Sequence, residues 1–173
     1  MFKRLDNMES VFERFIKSSP DLESLLNSDF AYEQGYVRYI DAQKRIHGAN
    51  HLGDLFAHEI EPVVKFEGFE KYDIDYFMAC QAIAIRLDHF GPVTCHLFKS
   101  PAEATSFPLH SDPDRVVIVM LEGQKRFRNH EEDVLLTAGD FILIPKHYPH
   151  EAINVTDNLM LAIGLESFTR EKL

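Results

Sequence analysis

A chain of 173 residues with 45% hydrophobic content is long enough for one domain with a sizeable core. A formal net charge of -10 argues against holding a phosphate backbone by bulk electrostatics. The local basic trio Lys125, Arg126 and Arg128 reads as a solvated strand end, so nucleic acid is not an expected partner. Cys80 and Cys95 stand outside any CxxC pair, which argues against a thiolate zinc site; in their apolar surroundings they read as reduced, buried thiols. The N-terminal stretch MFKRLDNMESVF lacks an apolar leader and no segment reaches membrane-spanning length, so the expected location is the cytoplasm, with no membrane partner.

In chain order, Met8, Val11, Phe12, Phe15 and Ile16 recur at helical spacing, with Asn7 or Ser10 as the cap. Ser19-Pro20-Asp21 predicts a second, short helix with Ser19 as cap and Pro20 in its first turn. Residues 35 to 46 read as strand or extended chain. Residues 51 to 64 read as helix up to Pro62, with a charged, glycine-containing connection after them. Residues Ile74, Phe77, Met78, Gln81, Ala82 and Ile85 form a helical stripe expected to face the core. His47, His51 and His58 fall at spacings that suit one helical face and read as surface or boundary residues; His89 and His96 read as structural.

Past Gly91 the pattern changes to strands: VTCHLFKS, RVVIVMLEG, QKRFRNH, DVLLTAG, DFILIP, EAINV and NLMLAIGLES, separated by Gly, Pro and Asn/Asp turns. The expected fold class is mainly β with N-terminal helices (α+β), the strands forming a jelly-roll barrel. One domain, 1–173, is expected, with a mainly helical part, 1–90, packed on a barrel core, 91–168.

Two stretches carry the chemistry. AGDFILIPKHYPHEAIN (138–154) places Gly139, Pro145, His150 and Asn154 so that a turn, a strand and a second turn deliver His150 to a barrel mouth. This stretch resembles the second motif of the cupin superfamily, with His147 standing where that motif has a glycine, so His147 reads as a rim residue. In HSDPDRVVIVMLEGQKRF (110–127), His110 and Asp112 are two apart and point to one side of an extended strand. The Glu that usually follows in the first cupin motif is replaced by Val116. Two imidazoles and a carboxylate suit one face of an octahedral metal, leaving open positions. The same stretch resembles the core of the JmjC-type, cupin-fold 2-oxoglutarate oxygenases, closest to the ribosomal-oxygenase branch: His-x-Asp, an apolar run, Leu-Glu-Gly-x-Lys, and an aromatic. The resemblance spans roughly residues 74 to 168.

That resemblance implies Fe(II) on His110, Asp112 and His150, with His150 reaching in from the wall opposite the His-x-Asp pair. It implies 2-oxoglutarate as cosubstrate, its far carboxylate on Lys125, fifteen residues after His110. Phe107 stands where some relatives carry a hydroxyl, so Ser106, Thr105 or another group would assist; Asn154 and Ser111 are candidates for supporting the site. The implied activity is O2-dependent oxygenation, a hydroxylation of a protein or peptide side chain or of a small metabolite. Two other readings stay open: a metal-dependent cupin dioxygenase or isomerase without 2-oxoglutarate, and a non-enzymatic cupin that binds a small ligand.

Overall fold

The computed structural model describes residues 1–167. The last residue of the expected barrel core, Phe168, lies outside the described residues. Helices and short strands come first: β1 (Lys3–Arg4), α1 (Glu9–Lys17), α2 (Leu22–Leu26), α3 (Asp29–Glu33), β2 (Val37–Ile40), β3 (Ile46–Gly48), α4 (Leu52–Phe56), β4 (Val63–Phe66) and α5 (Ile74–Arg86). Seven strands follow: β5 (Val93–Ser100), β6 (Arg115–Glu122), β7 (Gln124–Arg128), β8 (Asp133–Thr137), β9 (Phe141–Ile144), β10 (Glu151–Asn154) and β11 (Asn158–Leu165). They build an eight-stranded sheet in the order β1-β9-β6-β11-β5-β4-β2-β3 and a three-stranded sheet in the order β10-β7-β8. The architecture is a jelly roll of two sheets rather than a closed barrel, with a cavity lined from both.

Each long strand of the large sheet has two functions, one per face, because successive side chains alternate. On β5, Cys95 and Leu97 are fully buried in the core beneath the helices, together with Leu161 and Ile163 of β11 and Val117 and Val119 of β6. The intervening residues Thr94, His96 and Phe98 line the cavity. The chain leaves β6 for the other sheet at Gly123, whose φ of 71° is left-handed; a Cβ there would stand 2.0 Å from the Asp157 carbonyl oxygen. Glycine is therefore required at this crossing, and it sets the register in which Lys125 pairs with Leu136 and Asn154.

Several expectations change in the first half. The helix expected over 51–64 runs only from Leu52 to Phe56, capped by a reciprocal pair between His51 and Asp54, and Val63–Phe66 is a strand paired with β2 and β5. Pro62 ends any helix there, and the β-branched Val63 and Val64 suit the pleated sheet. Thus the three histidines at 47, 51 and 58 do not share a helical face: His47 is in β3 and its Nε2–H donates to the Asp41 carboxylate at 2.8 Å. The short second helix begins at Leu22 with Asp21 as its cap, its carboxylate accepting from the backbone N–H groups of Glu23 and Ser24. The first helix begins after Met8, with no side-chain cap.

The α5 stripe is corrected as well. Tyr76, Ala79, Cys80, Ile83 and Ala84 face the core, whereas Ile74, Phe77, Met78 and Ile85 are exposed. The helix is apolar on two faces, so periodicity could not choose between them. The face with Ala79, Cys80 and Ala84 allows close approach to the sheet, while Tyr76 meets Phe15 and Phe69 edge-on at 5.1 and 5.0 Å. Among the described residues no helix is long and apolar enough to cross a membrane.

Candidate metal centre

His110 precedes β6 on an extended segment, and His150 immediately precedes β10. They are neighbours rather than residues on opposite walls: an antiparallel bridge joins them, His110 N–H donating to the His150 carbonyl at 3.0 Å and His150 N–H to the His110 carbonyl at 2.8 Å. The ring centroids are 4.4 Å apart. Asp112 is drawn to the same point because its backbone carbonyl accepts from the N–H of His147 at 2.7 Å. His147 has φ 59°, the left-handed conformation of a tight turn; this is why the related motif has glycine there. The His147 side chain is exposed and lies outside the cavity lining.

The side chains converge. Among the described residues, His110, Asp112 and His150 form the one such cluster, with ligand atoms all within 4.8 Å of one another. His110 Nε2 is 4.0 Å from one Asp112 carboxylate oxygen, and His150 Nε2 is 3.5 Å from the other. Two donors bound to one ion at about 2.0–2.2 Å stand roughly 3–4.4 Å apart. Both imidazoles are oriented from behind: Nδ1 of His110 meets the Pro108 carbonyl at 2.8 Å and Nδ1 of His150 meets the Tyr148 carbonyl at 3.0 Å. A carbonyl only accepts, so each Nδ1 carries the proton and each Nε2 presents a lone pair to the cluster. Burial keeps the His150 pKa below the usual histidine value, which favours the neutral, ligating form.

The cluster opens on a cavity of about 570 Å³ between the two sheets. Lys125 lies in it, 1% exposed, and its Nζ donates to Ser100 Oγ at 3.1 Å. Burial alone pulls its pKa down to about 7. No acid pairs with it among the described residues. The rest of the basic trio faces outward, Arg126 paired with Asp133 at 3.0 Å and Arg128 with Glu151 at 2.6 Å. Ser106 also lines the cavity, and its buried hydroxyl has no hydrogen-bond partner. Asn154 is not in the lining: its amide donates to the Ala104 carbonyl at 2.8 Å and accepts from Asn158 at 3.4 Å, which ties down the loop that carries Ser106. Ser111 is exposed and outside the cavity. Asp114 lines the cavity, whereas Arg115 donates to the Leu87 carbonyl at 3.4 Å.

Sequence reasoning missed Ser100, which accepts from Lys125, and the cavity-lining Lys44 and Lys65, and it placed His96 among structural residues although it stands on the cavity wall. The signal was present in VTCHLFKS: Thr, His, Phe and Ser alternate with Val, Cys, Leu and Lys, so one face of a core strand is half polar.

Residues 96–164 match the cupin domain family. No curated protein matches the chain significantly. Among solved structures, the ribosomal oxygenase YcfD of Escherichia coli superimposes with a TM-score of 0.69 at 16% identity, over 87% of this chain and 45% of YcfD. YcfD in complex with cobalt and succinic acid gives 0.66 at 13% identity, over 98% of this chain and 54% of that one. YcfD in complex with cobalt and 2-oxoglutarate gives 0.64 at 12% identity with the same coverage. The chain thus spans about half the length of these structures. It is a cupin-fold protein, sharing with a ribosomal oxygenase the fold around its His-Asp-His cluster.

Proposed function

We propose that the chain is an Fe(II)- and 2-oxoglutarate-dependent oxygenase of the JmjC type, a hydroxylase acting on a protein or peptide side chain or on a small metabolite. One observation carries this reading: a buried lysine without an acid partner among the described residues shares a cavity with two imidazoles and a carboxylate arranged for one ion. The cobalt and 2-oxoglutarate complex of YcfD supports the same pairing of metal and cosubstrate.

His110 and His150 would hold the iron through Nε2 and Asp112 through a carboxylate oxygen, leaving the opposite face free. Iron and cosubstrate together supply the oxidation of a C–H bond by O2, with succinate and carbon dioxide released. The chain's own residues bind and orient. Lys125, already stripped of water, gains a counter-ion when a distal carboxylate reaches its Nζ, a charge-assisted hydrogen bond in a low-dielectric site. Ser100 Oγ holds that ammonium in place, and the free Ser106 hydroxyl is a second donor for the same carboxylate. Asn154 acts through the loop it anchors and is a positioning residue. Phe98, Phe127 and Ile118 line the cavity and exclude water from it.

The test is succinate formation from 2-oxoglutarate by the Fe(II)-loaded protein in the presence of O2. Turnover abolished by His110→Ala, together with 2-oxoglutarate binding weakened by about 10- to 100-fold in Lys125→Met, is the expected result. Undiminished 2-oxoglutarate binding by Lys125→Met contradicts the reading and favours a cupin that uses no cosubstrate.

A further inference from the structure

The three side chains of the metal cluster are not held alike. Those of His110 and Asp112 are 34% and 33% exposed, whereas that of His150 is 5% exposed. The buried ligand rests on the segment just before it, Tyr148-Pro149, whose side chains have no part in the proposed chemistry and do not line the cavity.

That segment is stiff by its covalent structure. The Pro149 ring fixes its own φ and disfavours helical backbone at Tyr148. The carbonyl that accepts from His150 Nδ1 at 3.0 Å belongs to the Tyr148–Pro149 peptide, so whatever fixes these two residues fixes the acceptor. Both are gripped from one place, the β7–β8 turn at 129–132. Asn129 Nδ2 donates to the Pro149 carbonyl at 3.0 Å. The turn itself orients that amide, because Oδ1 accepts from the backbone N–H groups of Glu131 and Glu132 at 2.8 and 2.9 Å. Glu132 Oε2 accepts from the Tyr148 hydroxyl at 2.8 Å.

The same carboxylate oxygen accepts from the Phe2 N–H at 2.7 Å. Phe2 is buried, meets the Tyr148 ring edge-on at 5.4 Å and leads into β1, which pairs with β9. β9 ends at Ile144, and the next residue, Pro145, accepts through its carbonyl from the Tyr148 N–H at 3.2 Å. Tyr148 is therefore clamped by its ring, its hydroxyl and its backbone. Bonds to an ionised carboxylate are about twice as strong as neutral ones, so Glu132 is the firmest point of the clamp.

We infer that Glu132 and Tyr148 are positioning residues for the metal ligand His150: the Glu132–Tyr148 bond fixes the Tyr148 carbonyl, and that carbonyl fixes the His150 ring with its proton on Nδ1 and its lone pair on Nε2 facing the ion. This inference rests on the metal centre of the proposed oxygenase. It assigns the β7–β8 turn, which touches neither metal ligand side chains nor cosubstrate, a share in metal affinity.

The experiment uses the whole chain with its histidine rings labelled with 15N. Zn(II) affinity is measured by competition with a chelator, and exchange of the His110 and His150 Nδ1 protons with solvent is followed in the Zn(II)-loaded protein. Tyr148→Phe, which keeps the ring and removes the hydroxyl, and Glu132→Ala should each weaken Zn(II) binding by about tenfold, the lower end of what loss of a supporting partner costs. Each should speed exchange at His150 by about tenfold while leaving His110, which rests on the Pro108 carbonyl, unchanged. Glu132→Gln, whose amide oxygen still accepts, should retain both properties. The double variant should match the weaker-binding single variant, because both remove one contact. Asp133→Asn, which cuts the outward pair with Arg126 on the same hairpin, should change neither. Unchanged affinity in both single variants, an affinity loss without faster exchange at His150, or equal changes at both rings would each overturn the inference and leave the metal centre standing. Failure of the wild-type chain to bind Zn(II) would instead overturn the metal centre, and this inference with it.

Discussion

The two faces of β5 make an instructive pair. Cys95 and Leu97 are sealed against α5 and the other helix-side residues, and any apolar side chains of similar volume would serve there. On the opposite face Thr94 and His96 line the cavity, and Ser100 accepts from Lys125. The cost is visible in Lys125: Ser100 is its one hydrogen-bond partner among the described residues, and burial lowers its pKa by disfavouring the ammonium. One face packs the core; the other carries polar groups and a buried lysine at a cost in stability.

The first way to break this comparison is to cut equally into both faces. Leu97→Ala on the helix side should lower unfolding stability by about 2–5 kcal/mol, as fully buried leucines do, while leaving 2-oxoglutarate affinity intact in the folded fraction; denaturant titration checks it. Lys125→Met on the cavity side should do the reverse. Cosubstrate affinity should drop by about 10- to 100-fold, the equivalent of one charged hydrogen bond. The protein should be as stable as before or more so, because an unpaired buried charge is replaced by an apolar chain. Calorimetry of binding and of unfolding on the same sample checks both halves.

A smaller effect sharpens the role of Lys125. Its folded-state pKa, about 7, lies below the ordinary 10.5, so between these values the unfolded chain holds a proton that the folded chain has released. Stability should therefore rise with pH across that window, by the sign of the linkage. Affinity for 2-oxoglutarate should move in the opposite direction: highest below pH 7, where the ammonium is present, and weaker by up to about tenfold for each unit above it. A flat affinity profile from neutral to alkaline pH would remove Lys125 from the binding step. Smallest of all is Ser106→Ala, which removes a hydroxyl that has no partner. It should leave stability within about 1 kcal/mol and weaken cosubstrate binding by less than about tenfold, the share of one neutral hydrogen bond.

How far the sequence carries follows the same division. The strands from β5 to β11 were legible because each is bounded by turn residues and carries β-branched or aromatic side chains. The convergence of His110, Asp112 and His150 was legible from motif spacing, although the direct bridge between the histidines was not: backbone pairing across forty residues of chain leaves no local trace. The first half was harder for a physical reason. Strands β3 and β4 have three and four residues, too few for a period to declare itself, and their place in the sheet is fixed by pairing with β2 and β5. α5 offered two apolar stripes, and the choice between them was made by side-chain size against the sheet. The turn that carries Lys44 is shaped by local hydrogen bonds from the backbone of Gln43 and Arg45 to the Asp41 carboxylate, a signal that reading 35 to 46 as strand or extended chain passed over.

The central claim is that one divalent ion and one dicarboxylate share this cavity. The most direct measurement is a crystal structure of the protein with Mn(II) and 2-oxoglutarate, with anomalous scattering used to locate the metal. The account predicts a single peak bonded to Nε2 of His110, Nε2 of His150 and a carboxylate oxygen of Asp112 at about 2.0–2.3 Å, with the far carboxylate of 2-oxoglutarate on Nζ of Lys125. A metal bound elsewhere, or a cosubstrate whose distal carboxylate points away from Lys125, would contradict it.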